Sequence, residues 1–263
     1  MSPRQLQLTR LLALAVFLTP SMTAPVARGQ SFVGETLKKE ASAASRTVDG
    51  LTGDEVVTQM IEHNRLRNEH LQSYSAVRNY EIRNPDGHVS AKAVVRVDYR
   101  APGKKTFQKV SEEGSWVARR LVFDRLMQSE EEASSGQERR DSAISDNNYQ
   151  FAIIGEEDLG ARRCFIIEVK PKRTDKYLFE GKLWIDAQDF AIAKISGHPA
   201  TKLSFWITRA DFVREFQRVD GFWLPQLDET IVELKIHGTR VFRIEHQQYV
   251  INATNALQPQ QPN

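Results

Sequence analysis

Apolar residues recur with a helical period in one segment near residue 55 and with a period of two over most of the remaining chain. In the first segment, Val56, Val57 and Met60 form an apolar stripe at helical spacing. Thr52 or Asp54 is placed to cap the first turn, where acidic residues also suit the positive end of the helix dipole. This pattern predicts a helix that begins near residue 54.

The period of two begins after Leu71 and predicts a long series of β-strands. It is clearest over Val89–Tyr99, where Val95 and Val97 share one face and charged residues occupy the other. Among the connections, Asp220-Gly221 is the strongest hairpin signal. The predicted strands are Tyr74–Asn84, Val89–Tyr99, Lys105–Ser111, Tyr149–Glu156, Arg162–Lys172, Tyr177–Asp186, Ala191–Gly197, Thr208–Val219, Phe222–Leu234 and Arg240–Ile251.

A second helix is predicted over Ser115–Glu132, with a polar loop over Ala133–Asp146 after it. The later connections are too short for crossover helices, so consecutive strands are expected to pair antiparallel. Together the elements predict one α+β domain over residues 54–251, in which a long antiparallel sheet curls and a helix packs against its concave face. A flexible lead-in over residues 30–53 and a disordered tail over residues 252–263 are expected to flank it.

Residues 1–29 have the three parts of a secretory signal peptide. Arg4 and Arg10 precede the apolar run Leu11–Leu18, and Ala27-Arg28-Gly29 places small residues at the positions that signal peptidase reads. The apolar run is far shorter than the ~20 residues that a membrane-spanning helix needs. We therefore expect cleavage before Gln30 and a periplasmic protein.

Composition and charge exclude several classes of protein. The chain of 263 residues is 40% hydrophobic and 27% charged, which is typical of a soluble globular protein rather than a disordered or polytopic membrane protein. The formal net charge is +2, but residues 1–29 hold three of the 36 basic residues and none of the 34 acidic ones. The exported form therefore has 33 basic and 34 acidic side chains, and no basic excess indicates nucleic acid as a partner.

The sequence contains no recognisable motif for catalysis, metal binding or cofactor binding. HExxH, GxSxG and a Gly-rich phosphate loop are absent, and the six histidines lack metal-ligand spacing. The lone Cys164 excludes an internal disulfide, a cysteine-rich zinc site and a lipid anchor at the cleavage point. Because Cys164 lies beside Phe165 and Ile166 in a strand pattern, we interpret it as a packed, unreactive thiol. We expect a protein that is not an enzyme and holds no cofactor.

Aromatic residues are concentrated in the C-terminal half of the chain. In Tyr177–Asp186, Phe179 and Leu183 lie on one face of the strand, while Leu178 and Trp184 place apolar groups on the other face as well. Either the strand has core on one side and a covering helix or loop on the other, or it borders a hydrophobic cavity that takes an acyl chain or a lipidated partner. The candidate cavity residues are Tyr177, Phe179, Trp184, Trp206, Phe212, Phe216 and Trp223.

The segment Phe179-Glu180-Gly181-Lys182-Leu183-Trp184-Ile185-Asp186, continued by Asp189–Ile195, resembles the strand–turn–strand unit of outer-membrane lipoprotein-sorting proteins of the LolA/LolB/RseB-like group. Phe222-Trp223-Leu224-Pro225 in the late hairpin is also similar to these proteins. The resemblance covers most of residues 50–251. It implies an incomplete, half-open β-barrel with helices closing its mouth, and an apolar cavity that shelters lipid chains without cofactor or catalysis. The polar insertion Ser129–Asp146 departs from the compact members, and no cargo-gating arginine is matched.

Three functions are compared, of which the first is preferred. The first is a periplasmic carrier or chaperone for a lipid or a lipoprotein, in which Arg119, Arg120 and Arg125 either meet anionic headgroups or form a solvated helix face. The second is a periplasmic sensor or regulatory module that binds a membrane-anchored partner protein through the same fold. The third, a secreted hydrolase, has no visible catalytic residues to support it. A monomer is expected, and the sequence does not specify the cargo.

Overall fold

The computed structural model describes residues 47–116, 123–124, 127, 130, 142–175, 177–203, 205–236 and 238–252. Several predicted segments lie outside these residues, namely the signal peptide, residues 30–46 of the lead-in, most of the second helix and residues 253–263 of the tail. Arg119, Arg120 and Arg125 also lie outside them. None of the helices in the described part of the chain is long and apolar enough to cross a membrane.

The predicted first helix is present as α1, Gly53–His70. Thr52 caps it through a capping box, in which the Thr52 hydroxyl accepts a hydrogen bond from the Glu55 backbone N–H at 3.3 Å. In return, the Glu55 carboxylate accepts from the Thr52 backbone N–H at 2.7 Å. The predicted stripe is the buried face of α1, because Val56, Val57 and Met60 are all buried.

Ten strands follow α1 in the part of the chain that the structure describes. They are β1 Ser73–Arg83, β2 Val89–Arg100, β3 Lys104–Gly114, β4 Tyr149–Leu159, β5 Arg162–Pro171, β6 Phe179–Asp186, β7 Ile192–Pro199, β8 Ile207–Val219, β9 Phe222–Leu234 and β10 Gly238–Ile251. All ten predicted strands are therefore confirmed. Asp220 and Gly221 both have positive φ between β8 and β9, which is the backbone of a tight two-residue hairpin turn.

The strands form one sheet in the order β3-β2-β1-β10-β9-β8-β7-β6-β5-β4. Every pair of neighbours is antiparallel. The first strand pairs with the last, which places β1 and β10 in the interior of the sheet. Among the described residues β3 and β4 are the two edges of the sheet, so the sheet is not closed. The predicted α+β class with one unclosed antiparallel sheet is confirmed.

One face of the sheet, which we call the inner face, carries two large apolar clusters, and Leu71, Tyr74, Ala76 and Leu224 form a smaller third one. The first cluster lies on the β1, β2 and β10 side, and Phe123 and Met127 of the segment between β3 and β4 pack onto it. The second cluster lies on β4 to β8, and Val56, Val57 and Met60 of α1 pack onto it. The core is thus divided between two halves of a single long sheet, and each half has its own cover.

Gly181 and Gly197 face each other where β6 and β7 pair. A side chain at Gly181 would overlap the backbone carbonyl oxygen of Ser196. Glycine is required here by the close approach of two strands rather than by a positive φ. This accounts physically for the glycine of the Phe179–Asp186 motif.

Candidate functional site

Three of the seven candidate cavity residues lie together on the inner face. Phe179, Phe212 and Phe216 are buried members of the second apolar cluster. The Phe179 and Phe212 rings meet edge to face, with their centroids 5.5 Å apart. Trp223 packs against the edge of this cluster, and its indole Nε1 donates a hydrogen bond to the Asp189 carboxylate at 2.9 Å. We call these four residues the aromatic surface; Arg214 lies between Phe212 and Phe216 along β8.

Trp184 lies on the opposite face of the sheet. Its neighbours in β6, Leu183 and Ile185, point into the second cluster, and successive strand residues point to opposite faces. The Trp184 indole donates to the Glu157 carboxylate at 2.6 Å, and Lys194 Nζ lies 5.3 Å from the ring centroid. Trp184 therefore belongs to a polar outer surface and is separated from the inner aromatic residues by the sheet.

The remaining two candidates lie in loops. The Tyr177 backbone N–H donates to the Asp175 carboxylate at 3.0 Å in the connection before β6. Trp206 immediately precedes β8 and packs edge to face against Phe205, with the ring centroids 5.4 Å apart. Neither residue is a member of the second apolar cluster as the structure describes it.

The turn between β6 and β7 joins α1 to the aromatic surface. Arg67, in the last turn of α1, donates to the backbone carbonyl of Asp189 at 2.6 Å and to that of Phe190 at 3.1 Å. The His63 and Phe190 rings lie 5.3 Å apart. The C-terminal half of α1 is therefore attached to the sheet mainly through polar contacts at this turn, whereas its N-terminal half is attached by apolar burial.

Asp186, the last residue of the motif strand, organises the same turn. Its carboxylate accepts hydrogen bonds from the backbone N–H groups of Gln188 at 3.0 Å and Asp189 at 2.7 Å, and it pairs with Arg162. Burial opposes ionisation of Asp186, but the Arg162 guanidinium and the two backbone donors outweigh it and lower the pKa. Asp186 thus stays ionised and anchors the turn.

A group of charged side chains, which we call the inner charged cluster, lies on the inner face among the apolar residues. Arg78 lies between Ala76 and Tyr80 on its face of β1, and Arg214 lies between Phe212 and Phe216 on β8. The sequence did not lead us to predict this cluster. Arg78 and Glu130 form a two-pronged ion pair with N···O distances of 2.6 and 3.0 Å, and Lys105 Nζ reaches the same carboxylate at 2.5 Å. Asp228 pairs with Arg214 and lies 2.8 Å from His246 Nε2. The members are Arg78, Lys105, Glu130, Arg214, Asp228 and His246.

Pairing keeps the carboxylates of the inner charged cluster ionised. Burial favours their protonated forms, but Arg78 and Lys105 hold the pKa of Glu130 well below its ordinary value. In the same way, Arg214 and His246 more than offset burial at Asp228 and lower its pKa. Each buried charge therefore has a counter-charge, and loss of one partner would leave the other uncompensated.

His246 is held neutral in this cluster. Burial and the charge of Arg78 lower the pKa of His246, against the opposing effect of Asp228. A neutral imidazole facing the Asp228 carboxylate through Nε2 carries its proton there, so Nδ1 is an acceptor. Within the described residues, His246 Nδ1 and Arg78 Nε have no hydrogen-bond partner. Arg78 and His246 are neighbours in the β1–β10 pairing. The Arg78 Nε–H donor and the His246 Nδ1 acceptor therefore lie on adjacent strands, and a hydroxyl group can accept from the first and donate to the second.

The structure reveals no arrangement typical of metal binding or thiol chemistry in the residues that it describes. No group of three or more His, Cys, Asp or Glu side chains among them could hold a metal ion. Cys164 is fully buried, and burial, helped by Asp186, raises the pKa of its thiol to about 11. The interpretation of Cys164 as a packed thiol agrees with this environment.

Comparison with known proteins gives similarities to solved structures only. No family model and no curated protein matches the chain. A lipoprotein-sorting protein domain from Vibrio parahaemolyticus is 12% identical over 78% of this chain and 94% of that one, with a TM-score of 0.44. A LolA superfamily protein from Nitrosomonas europaea is 10% identical over 78% and 95%, with a TM-score of 0.34. The MucA/MucB complex of Pseudomonas aeruginosa matches at 12% identity over 77% and 99%, with a TM-score of 0.28. The function is therefore argued from the residues of this chain.

Proposed function

We propose that this protein is an exported, periplasmic carrier or chaperone that binds a lipid or the acyl chain of a lipidated protein, without catalysis or a cofactor. The observation that carries the proposal is the second apolar cluster. Its aromatic residues Phe179, Phe212 and Phe216, with Trp223 at its edge, belong to the same cluster as Val56, Val57 and Met60, the buried apolar residues of α1. The N-terminal export signal and the motif resemblance support the compartment and the class of cargo.

The cover is α1, and its attachment is limited. Its buried residues, Gly53, Val56, Val57 and Met60, all lie in its first eight positions. Exposing the three apolar side chains would cost roughly 5–9 kcal/mol, at about 1.5–3 kcal/mol each. Displacement of the N-terminal half of α1, with the Arg67 and His63 contacts at the β6–β7 turn kept, is therefore within reach of the binding energy of one apolar ligand.

An acyl chain supplies an energy of the required size. Each buried CH₂ group contributes about 0.8 kcal/mol. Burial of about ten methylene groups therefore offsets the free-energy cost of exposing the three apolar side chains of α1. Short fatty acids are too small to replace the helix, whereas the chains of membrane lipids and of lipidated proteins are long enough. The proposed site therefore discriminates by chain length, with little need for polar recognition.

The test starts with protein purified from the periplasm of an expressing cell. Lipid extraction and mass spectrometry should detect bound acyl chains, and a fluorescent fatty acid should be displaced by competitors only above about ten carbons. Phe216→Ala should weaken binding, because Phe216 lies on the inner aromatic surface. Trp184→Ala is the matched control, because it removes a larger aromatic side chain from the opposite face of the sheet and should leave binding unchanged.

Two outcomes would contradict the proposal. One is a protein that carries no lipid and does not bind the fluorescent fatty acid while its circular dichroism shows it to be folded. The other is equal loss of binding in Phe216→Ala and Trp184→Ala. A pull-down that returned a membrane-anchored regulator and no lipid would instead favour a sensor that binds a partner protein through the same fold.

A further inference from the structure

Two loops at one end of the sheet meet in an exposed apolar tip. Phe205 is 73% exposed and Ile236 is 69% exposed. The Lys235 backbone N–H donates to the Trp206 carbonyl at 3.0 Å and joins the β9–β10 turn to the connection before β8. We call Phe205, Trp206, Lys235 and Ile236 the loop tip.

The exposure of the loop tip is local. Leu203 and Ile207, on either side of it in the chain, are both buried in the first apolar cluster. The chain thus leaves the core at Phe205-Trp206 and returns to it within two residues. An aromatic pair and an isoleucine held together in water cost solvation free energy, and an exposed apolar patch of this kind is typical of a contact surface.

The charges around the loop tip favour an anionic partner. Lys235 Nζ lies 3.3 Å from the centroid of the Phe205 ring, so a cation is placed directly beside the most exposed aromatic residue. Residues 200–211 and 233–240 contain four basic side chains and two acidic ones, and one basic and one acidic member, Arg209 and Asp211, pair with each other. Surfaces that combine aromatic and aliphatic side chains with lysine are typical of segments that bind at a membrane–water interface.

A recess lies beside the loop tip. In the described part of the chain, β7 pairs with β8 only over Lys194–Gly197 and Phe212–Glu215, so the N-terminal end of β8 has no partner on this side. The opening has a volume of about 400 Å³ and is bordered by His198, Lys202, Leu203 and Ile207. Two of these residues, Leu203 and Ile207, also belong to the first apolar cluster. The recess therefore leads from the surface beside the loop tip to the inner face.

We propose that the loop tip docks on an anionic phospholipid bilayer. Phe205 and Ile236 enter the outer part of the acyl region, Lys235 meets the phosphate groups, and the β7–β8 recess faces the lipid surface. This goes beyond the proposed carrier function, because docking uses residues outside the second apolar cluster and needs no bound cargo. The two proposals can therefore fail independently.

The test uses the exported form, whose mass first confirms removal of the signal peptide, and flotation with vesicles. The protein should float with vesicles of phosphatidylglycerol and phosphatidylethanolamine, and more weakly with vesicles of phosphatidylcholine. The double substitution Phe205→Ser, Ile236→Ser should lower vesicle binding by about tenfold or more. Lys235→Glu should weaken binding to the anionic vesicles only.

Val110→Ser is the matched control, because Val110 is 65% exposed on the edge strand β3 and its substitution should leave vesicle binding unchanged. An environment-sensitive dye at Ile236→Cys should shift to the blue on vesicles, and Cys164 does not compete for the dye because it is buried. The proposal is overturned if the folded wild type does not bind anionic vesicles. It is equally overturned if the double variant binds vesicles as well as Val110→Ser does. It is also overturned if vesicles leave the emission of the dye unchanged while a soluble periplasmic extract changes it, because the loop tip would then contact a protein.

Discussion

Asp228 is the residue at which the inner charged cluster can be tested most directly. Its carboxylate is buried and faces both Arg214 and His246. Asp228→Asn keeps the size of the side chain and removes its charge, so that Arg214 is left partly buried without its counter-charge. Removal of one partner from a buried pair typically costs 3–5 kcal/mol, and we expect the free energy of unfolding to fall by about 3 kcal/mol.

The chain contains a control with the same chemistry on the surface. Asp211 pairs with Arg209 on β8, and both side chains are exposed to solvent. Exposed ion pairs contribute about 0–1 kcal/mol, so Asp211→Asn should lower the free energy of unfolding by less than about 1 kcal/mol. Both variants and the wild type are compared by urea unfolding monitored by circular dichroism, with equal m-values as the check for two-state behaviour.

The pH dependence has a definite sign. The pKa of Asp228 is lowered in the folded state, so the stability that its ionised form contributes is fully present above the pKa of the unfolded chain, about 3.9. It is lost as the pH falls below that value toward the folded pKa. The difference between wild type and Asp228→Asn should therefore be constant above about pH 7, where His246 is neutral in the folded and unfolded chain, and should shrink below about pH 4 as Asp228 is protonated. Between these limits it should grow as the pH falls, because Asp228 raises the pKa of His246 in the wild type only. A cost no larger than that of Asp211→Asn above pH 7, or a difference that does not shrink below about pH 4, would refute the proposed pairing.

Three further predictions concern local structure. Thr52→Ala removes the capping box of α1 and should lower the free energy of unfolding by about 1 kcal/mol, measured by urea unfolding. Gly181→Ala should lower it by about 1–3 kcal/mol, because the added Cβ overlaps the Ser196 carbonyl, whereas Gly155→Ala, with open space around it, should have little effect. Cys164 should resist alkylation in the folded protein at pH 8, because its thiol is buried and has a pKa of about 11. It should react fully in urea, and rapid labelling of the folded protein would contradict its buried position.

The strands could be predicted because two local signals coincide along the chain. Alternation of apolar and polar residues locates each strand, and turn residues locate its ends. Phe222–Leu234 was predicted with the bounds that it has in the structure, since Asp220-Gly221 fixes its start. The alternation also places Trp184 opposite Leu183, so its position on the outer face follows from the sequence. Its inclusion among the cavity residues rested on the presence of apolar groups on both faces of Tyr177–Asp186, which does not specify the face that a cavity would border.

The inner charged cluster could not be predicted in this way, because it depends on the order of the strands. Alternation places Arg78 on the same face as Tyr80 within β1, but gives no partner for its charge. That partner, Glu130, comes from the segment between β3 and β4, and the neighbour His246 comes from β10, 168 residues further along the chain. Pairing of the first strand with the last is a long-range property, and local periodicity contains no information about it.

The inner charged cluster also bears on where an acyl chain would lie under the proposed function. A chain that crossed from one apolar cluster to the other would cover Arg78 and Glu130 with CH₂ groups or separate the pair, and desolvation of an unpaired charge costs several kcal/mol. Burial of each CH₂ group contributes only about 0.8 kcal/mol, so an acyl chain that passed over the inner charged cluster would be unfavourable. The ligand should therefore stay in the half formed by the second cluster, which contains Phe179, Phe212 and Phe216 together with the buried residues of α1.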